Sequence, residues 1–432
     1  MNFKALLAAT AIALAPLAAS AQMVPAGGFG DNILINPWME LDQANEGASI
    51  TATRTAAGTF TQTKNTDGWS STQAQSTTGS PTVVMQNVAV APNGSVSDQK
   101  WAQNASIATT HADGTLVTLE QRIEPIRLAP LQYGTANAQT STLQFCAKAS
   151  VAGTYGFYIA GGANARTSDV AAENNAATAG STYFHAFSIP TAADWSCYSF
   201  LIPGDTGGTW LVTSSTNAVD QTHGATLGFV LAINGVTTAT YGVPTSTAAD
   251  GVWFNLVSAG QGVIGNNATY AALDKVASAT FELTGVKWSL NNTPLTHNPV
   301  LELQDAQRYY WKSCKVGIAG NSGSVCAQSG TTADVIGAVS NSQQVVAVAN
   351  ALVARLPVPM RIITKSATIT TFDAQAANSS CFDITGGATQ AVATVDTSSV
   401  GSFDEVVINC AASGVATAGN ILGVALTVDA RL

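Results

Sequence analysis

The chain is poor in charge. Asp, Glu, Lys and Arg make up 10% of its 432 residues, against about 25% in an ordinary globular domain. Lys and Arg never cluster, and the net charge is −9 with a pI near 4.8. Phosphate backbones are held by grouped cations, so nucleic acid is not an expected partner. The arrangements that announce chemistry are missing too. No Cys-x-x-Cys occurs, which removes the common zinc motifs, and no Gly-x-Ser-x-Gly marks a nucleophile elbow. The four histidines, His111, His185, His223 and His297, are scattered, with none at i, i+4 from another. Beyond the N-terminus no apolar run is long enough for a membrane span. Apolar residues are plentiful at 46%, largely Ala and Val, with Thr, Ser, Asn, Gln and Gly left to cover the surface. That is too apolar for disorder. It suits β-structure and an extracellular or virion setting, and the length allows two or three domains with real cores.

The first residues read "MNFKALLAATAIALAPLAASAQ". Lys4 supplies a positive start, Ala5–Leu17 an apolar stretch, and Ala19-Ser20-Ala21 a small-residue cleavage site, the pattern of a secretory signal peptide. The alternative for 1–21 is an apolar helix that anchors the protein in an assembly. Six cysteines follow: Cys146, Cys197, Cys314, Cys326, Cys381 and Cys410. An even number fits disulfides in an oxidising compartment, with fifteen connectivities open. Order along the chain favours Cys146–Cys197, Cys314–Cys326 and Cys381–Cys410. The alternative is six buried thiols.

From Asn32 the chain becomes a series of short apolar runs divided by turn residues. The runs are "NILIN" (32–36), "TVVMQNVAV" (82–90), "TLVTLEQRI" (115–123), "STLQFCAKA" (141–149), "GTYGFYIAG" (153–161), "STYFHAFSI" (181–189), "WSCYSFLI" (195–202), "TLGFVLAIN" (226–234) and "ATFELTGVKWSL" (279–290). Many alternate apolar and polar, the signature of half-buried strands. With no helical blocks between them, they predict an all-β sandwich or barrel. One segment differs. Asn298-Pro299 offers an N-cap and a proline at the first helical position. Leu303, Ala306 or Gln307, Tyr310 and Cys314 then share a helical face, with Glu302 and Asp305 early and Lys312 and Lys315 late. This predicts a connecting helix over 298–315, about four turns long. It would join a β domain over 22–297 to a smaller β-rich domain over 316–432. In the latter, "SQQVVAVANALVARLPVPM" reads as strand or short helix, and "SATITTF", "QAVATV", "DEVVIN" and "GVALTVDARL" as strands.

Chemistry has few footholds. Gly260–Gly265 is a literal GxGxxG, but a dinucleotide site needs a parallel βαβ unit around it, so it reads as a glycine-rich loop. Glu40, Asp42 and Glu46 form the densest acidic group and could bind Ca²⁺ through oxygen donors, with a solvated turn as the alternative. No carboxylate pair for glycoside cleavage stands out. Aromatic faces stack on sugar rings when exposed. The candidates are Trp38, Trp69, Trp210 and Trp253, with Trp195 and Trp288 behind them, and core packing is the competing use of each.

An ordered series of phrases resembles a family of tailed-bacteriophage tail-fibre and related virion proteins. They are "NILINPWMELDQANEG" (32–47), "TDGWSS" (66–71), "LEQRIE" (119–124), "STLQFCAKASVAGTYGFYI" (141–159), "ADWSCYSFLIPGDTGGTW" (193–210), "ATFELTGVKWSLNNTPL" (279–295), "LQDAQRYYWK" (303–312), "RLPVPMRIITKSATIT" (355–370) and "GVALTVDARL" (423–432). The resemblance implies a large antiparallel jelly-roll sandwich like that of carbohydrate-binding modules, a short helix and a terminal β domain. It implies a non-enzymatic structural or receptor-binding role, as a tail or head fibre or a surface-decoration subunit. Such proteins are usually trimeric, among other virion proteins, with host-surface polysaccharide as a ligand. No catalytic residues carry over. Leu303, Tyr309, Tyr310 and Trp311 are expected to pack between domains or subunits. Gly68 stands where the family pattern has arginine, and Ala306 where it has cysteine. The signal-like start departs from a cytoplasmically assembled virion, so the expected location is the virion surface, or alternatively the secreted or periplasmic space. There the same fold would serve a bacterial polysaccharide-binding or adhesion protein.

Overall fold

The computed structural model describes residues 32–45, 47–53, 60–75, 82–89, 101–110, 115–162, 180–208, 210, 224–234, 250–255, 270–296, 298–312 and 350–356, with strand stretches 368–372, 380–383, 388–396, 405–410, 422–423 and 425–429. Thirteen strands among these build two antiparallel sheets. They are β1 (Ile50–Thr53), β2 (Phe60–Lys64), β3 (Trp69–Gln75), β4 (Thr82–Ala89), β5 (Trp101–Thr109), β6 (Thr115–Ile123), β7 (Ser141–Ala149), β8 (Gly153–Gly162), β9 (Gly180–Ile189), β10 (Ser196–Ile202), β11 (Ala225–Asn234), β12 (Trp253–Asn255) and β13 (Thr280–Ser289). The six-stranded sheet has the order β1-β4-β5-β13-β7-β10, and the seven-stranded sheet β12-β9-β8-β11-β6-β3-β2. The chain passes repeatedly from one sheet to the other, β5 to β6 to β7 to β8, which makes the sandwich a jelly roll.

Alternation along the strands builds the core. Val117 and Leu119 of β6, Leu143 and Phe145 of β7, Phe157 and Ile159 of β8, Leu227 and Phe229 of β11, and Phe281, Leu283 and Trp288 of β13 are all buried between the sheets. Phe145 sits at the hub, edge-on to Phe187 and Phe229 with centroids 5.0 and 4.9 Å away, the arrangement aromatic quadrupoles favour.

The first predicted strand is not one. Residues 32–36 form bends, with Ile33, Leu34 and Ile35 all buried. A strand on one sheet face would bury only alternate residues. Side chains replace the ladder here. Asn32 Oδ1 accepts from Trp288 N at 2.9 Å and Leu34 N at 3.1 Å, and Gln121 clasps Ile35 through both its N–H and its C=O. The next residues repair a gap. β13 pairs with β5 only as far as Leu283, then bulges between Thr284 and Lys287 with Gly285 at φ 61°. Val286 N donates instead to Pro37 O at 3.0 Å, and Asn87 Nδ2 to Met39 O. The "NPWME" phrase is thus a plug in the six-stranded sheet.

The connecting helix is shorter than the spacing predicts. It runs over Pro299–Gln307 (α2, after a one-turn α1 at Pro125–Leu128). Asn298 Oδ1 caps Leu301 N at 3.2 Å, with Pro299 at the first position. Tyr310–Lys312 leave the helix as strand β14, because their backbone pairs with the last strand of the chain, β21 (Ala425–Asp429), with Tyr310 opposite Asp429. Tertiary pairing overrides the helical periodicity. β14, β21 and β16 (Thr368–Phe372) form a three-stranded sheet. A five-stranded one has the order β15 (Asn350–Arg355), β19 (Glu405–Cys410), β18 (Ala388–Asp396), β17 (Ser380–Asp383), β20 (Leu422–Gly423). These make up the smaller C-terminal β part. No helix among the described residues is long and apolar enough to cross a membrane.

Charge fastens the helix to the sandwich. Arg127 of α1 is buried, with its guanidinium 2.9 Å from Asp305 of α2 and 4.0 Å from the buried Glu124. Arg308 reaches back to Glu124 at 3.5 Å. Burial opposes the charge on Arg127, but Tyr309, Asp305 and Glu124 around it hold its pKa above the ordinary arginine value. Gln43 Nε2 ties in the N-terminal plug through Asp67 Oδ2 at 2.8 Å and Tyr310 O at 3.2 Å.

Candidate functional site

β10 ends the six-stranded sheet and β12 ends the seven-stranded one, on the same side of the sandwich. β12 is three residues long and pairs with Ser181–Tyr183 of β9. Beyond Tyr183 a side chain takes over the edge of β9. Asp250 Oδ1 accepts from Ala186 N at 2.7 Å, Asp250 Oδ2 lies 2.8 Å from His185 Nδ1, and Gly251 N donates to Phe184 O. Gly251 holds φ +75°, a left-handed turn that a Cβ would strain.

Opposite, alternation along β10 turns Tyr198, Phe200 and Ile202 inward and Cys197, Ser199 and Leu201 outward. Tyr198 and Phe200 remain half-buried, as do His185 and Trp253. The rings form a continuous run. Trp253 lies 5.3 Å from Tyr183, His185 4.6 Å from Phe200, and Phe200 6.0 Å from Tyr198 with their planes 11° apart. Tyr133 and Trp210 brace Trp253 from inside, edge-on at 5.3 and 5.4 Å. Burial, and then the Asp250 carboxylate, push the Tyr183 hydroxyl up to about 12. Burial also raises the pKa of Tyr198. The edge therefore offers flat apolar faces beside a carboxylate and an imidazole, a combination that suits a ligand with one apolar and one hydroxylated side.

This arrangement corrects three of the tryptophan expectations. Trp38 is buried in the plug, Trp69 packs in the core 6.3 Å from Phe229, and Trp210 is buried with Nε1 donating to Asp205 Oδ2 at 2.7 Å. None presents a face to solvent; Trp253 does, in part. Trp288 is a core residue, and Trp195 lies under Lys148 Nζ at 5.2 Å. The acidic group is also put to a different use. Asp42 accepts from Asn45 N, Asn45 Nδ2 and Gly47 N, closing a turn, while Glu40 is exposed and Glu46 lies outside the described residues. No cluster of three metal-ligating side chains occurs among the described residues.

Cys146 and Cys197 stand directly opposite on β7 and β10 and form a disulfide on the outer face of the six-stranded sheet. Cys381 and Cys410 lie on β17 and β19, with β18 between them. The side chains of both lie outside the described residues. Cys314, Cys326, the GxGxxG segment, His111, His223 and His297 fall outside the described residues. Of the packing candidates, Leu303 is half-buried on α2, Tyr309 and Tyr310 are buried, and Trp311 lies in β14. Burial first, and the nearby Glu124 second, raise the Tyr309 pKa.

No protein-family model matches the chain. No curated protein matches it. Among solved structures it is similar to the enzymatically active domain of bacteriophage CBA120 tailspike protein 4, at 11% identity and a TM-score of 0.25, over 51% of this chain and 19% of that one. It is also similar to the family 11 carbohydrate-binding module of Clostridium thermocellum in complex with a mixed-linked tetrasaccharide, at 11% identity and TM-score 0.24, over 55% of this chain and 96% of the module. A carbohydrate-binding module of family 4 gives 12% identity and TM-score 0.23, over 58% and 92%. Such scores are too low to carry a function across.

Asp250, His185, Tyr198 and Phe200 were not singled out by the sequence. The signal was there in part. Alternation in "STYFHAFSI" and "SCYSFLI" already sets Tyr183, His185 and Phe187 on one face and Tyr198 and Phe200 on another. That the two faces meet at an open edge depends on how the sheets stack.

Proposed function

We propose that this protein is a non-enzymatic surface subunit of a bacteriophage particle, a fibre or decoration protein whose jelly roll binds host-surface glycan. The observation that carries the reading is the half-exposed ring run of Trp253, Phe200 and Tyr198 beside Asp250 and His185. Glycoside cleavage takes two carboxylates flanking the bond; the described part of this edge offers Asp250, 2.8 Å from His185, while Asp205 is buried and bonded to Trp210 Nε1. The ordered series of virion-like phrases supports the particle assignment, and two of those phrases meet in the Glu124–Arg127–Asp305–Arg308 network. Trimeric assembly would add avidity to weak single contacts.

The test has two arms. Particles purified from lysate should contain the chain, and the purified protein should be retained on immobilised host polysaccharide without releasing reducing ends. The second reading, a secreted bacterial adhesion protein, rests on the signal-like N-terminus. Recovery of a chain starting at Gln22 from particle-free culture supernatant would favour it and remove the virion assignment.

A further inference from the structure

The aromatic edge also carries information about which glycan it takes, an inference that rests on the glycan-binding reading above. Three observations bear on it. First, Asp250 accepts from Ala186 N and lies 2.8 Å from His185 Nδ1, and neither Asp250 nor His185 is paired with a lysine or arginine among the described residues. Second, both groups reach solvent. Asp250 is 38% and His185 25% exposed. A carboxylate has about four lone-pair sites, of which Ala186 N takes one. Third, ring faces lie next to both groups, with Trp253 fixed by Nε1 donating to Pro203 O at 2.6 Å and Tyr198 by its hydroxyl donating to Ser188 O at 2.7 Å.

From these we infer that the β10–β12 edge is a binding site for neutral pyranose units and rejects acidic sugars. A pyranose whose C–H bonds form an apolar face lies on the Trp253 or Phe200–Tyr198 rings. Its hydroxyls donate to Asp250, with the His185 ring alongside. A uronate, sialate or sulfated sugar meets the Asp250 carboxylate with no lysine or arginine among the described residues to offset it, and the chain's overall charge of −9 adds to the repulsion. Asp250 is then a specificity-determining residue as well as the strap on the edge of β9.

The experiment is isothermal titration of the full chain with a neutral gluco-hexasaccharide and with an oligogalacturonate of the same length, at low salt. The neutral sugar should bind, and the acidic one should bind at least tenfold more weakly. Trp253→Ala should weaken the neutral sugar roughly tenfold, the size of a lost aromatic stacking contact, while Trp253→Phe restores most of it. Because Trp253 also packs on Tyr133 and Trp210, Phe200→Leu serves as a second variant with a weaker structural demand, and should cost several-fold. Equal or tighter binding of the acidic sugar, or neutral binding unchanged in both Trp253→Ala and Phe200→Leu, overturns the assignment of this edge while leaving glycan binding itself intact. Failure to bind either probe, together with no retention on host polysaccharide, overturns this inference and the proposed function alike.

Discussion

Replacing Arg127 by Met would test what holds the connecting helix to the sandwich. Arg127 is 1% exposed and lies between Glu124, fully buried, and Asp305, 26% exposed. Its Nη1 also donates to Ile33 O at 3.3 Å. An exposed ion pair of this kind would contribute under about 1 kcal/mol. Removing one partner of a buried pair costs about 3–5 kcal/mol, because the remaining charge is left in a medium that solvates it poorly. Methionine fills most of the arginine stem, so little cavity is added, and Arg308 still faces Glu124 at 3.5 Å. The expected loss is therefore at the low end, about 3 kcal/mol. Asp305→Asn should cost less, about 1–2 kcal/mol, since that carboxylate is partly solvated. The double variant should lose less than the sum, with a coupling of about 1–2 kcal/mol. Urea unfolding followed by tryptophan fluorescence measures all three. Strict additivity would refute the argument that this ion pair docks α2 on the jelly roll.

Other perturbations follow from the same geometry. Serine at both Cys146 and Cys197 should lower stability by about 2–4 kcal/mol, because the bridge closes a loop of 51 residues in the unfolded chain; an unchanged melting temperature in the variant would sink that view. Gly68→Ala should destabilise by about 1–3 kcal/mol: the residue sits at φ +83° and an added Cβ would clash with the Ile35 side chain. The arginine of the related phrase should be worse still, and a stable, folded Gly68→Arg protein would contradict the structure at this turn. Tyr183 gives a pH dependence. Its pKa is raised to about 12, so the folded state favours the neutral hydroxyl. That contribution is fully present below about pH 10, the unfolded tyrosine value, and is lost as pH rises toward about 12. Urea midpoints across this window should fall less steeply in Tyr183→Phe than in the parent protein.

Much of the β scaffold is legible from alternation. The runs at 115–123 and 141–149 are strands over the same residues, because half-buried strands of Thr, Val and aromatics leave a period-2 pattern. β2, β3 and β5, written in Thr, Gln, Ser and Ala, carry little such signal and escape it. The segment 32–36 misleads in the other direction: three apolar residues in a row can be a buried strand or a buried bend, and only Asn32 and Gln121, the latter 86 residues away from Ile35, decide for the bend. Tyr310 falls at helical spacing, yet pairs with a strand more than a hundred residues later. The candidate site shows the same division. Trp38, Trp69 and Trp253 are chemically alike in the sequence, and burial separates them.

By itself the sequence determined the all-β class, the capped helix after Asn298, and a surface built with little charge, because these depend on local periodicity, caps and composition. Tertiary structure decided which tryptophan reaches solvent, which cysteines face each other, and that His185, Phe200 and Asp250 come together. Those outcomes depend on where two sheets end and on which backbone groups lack a strand partner, quantities set by contacts between residues far apart in the chain.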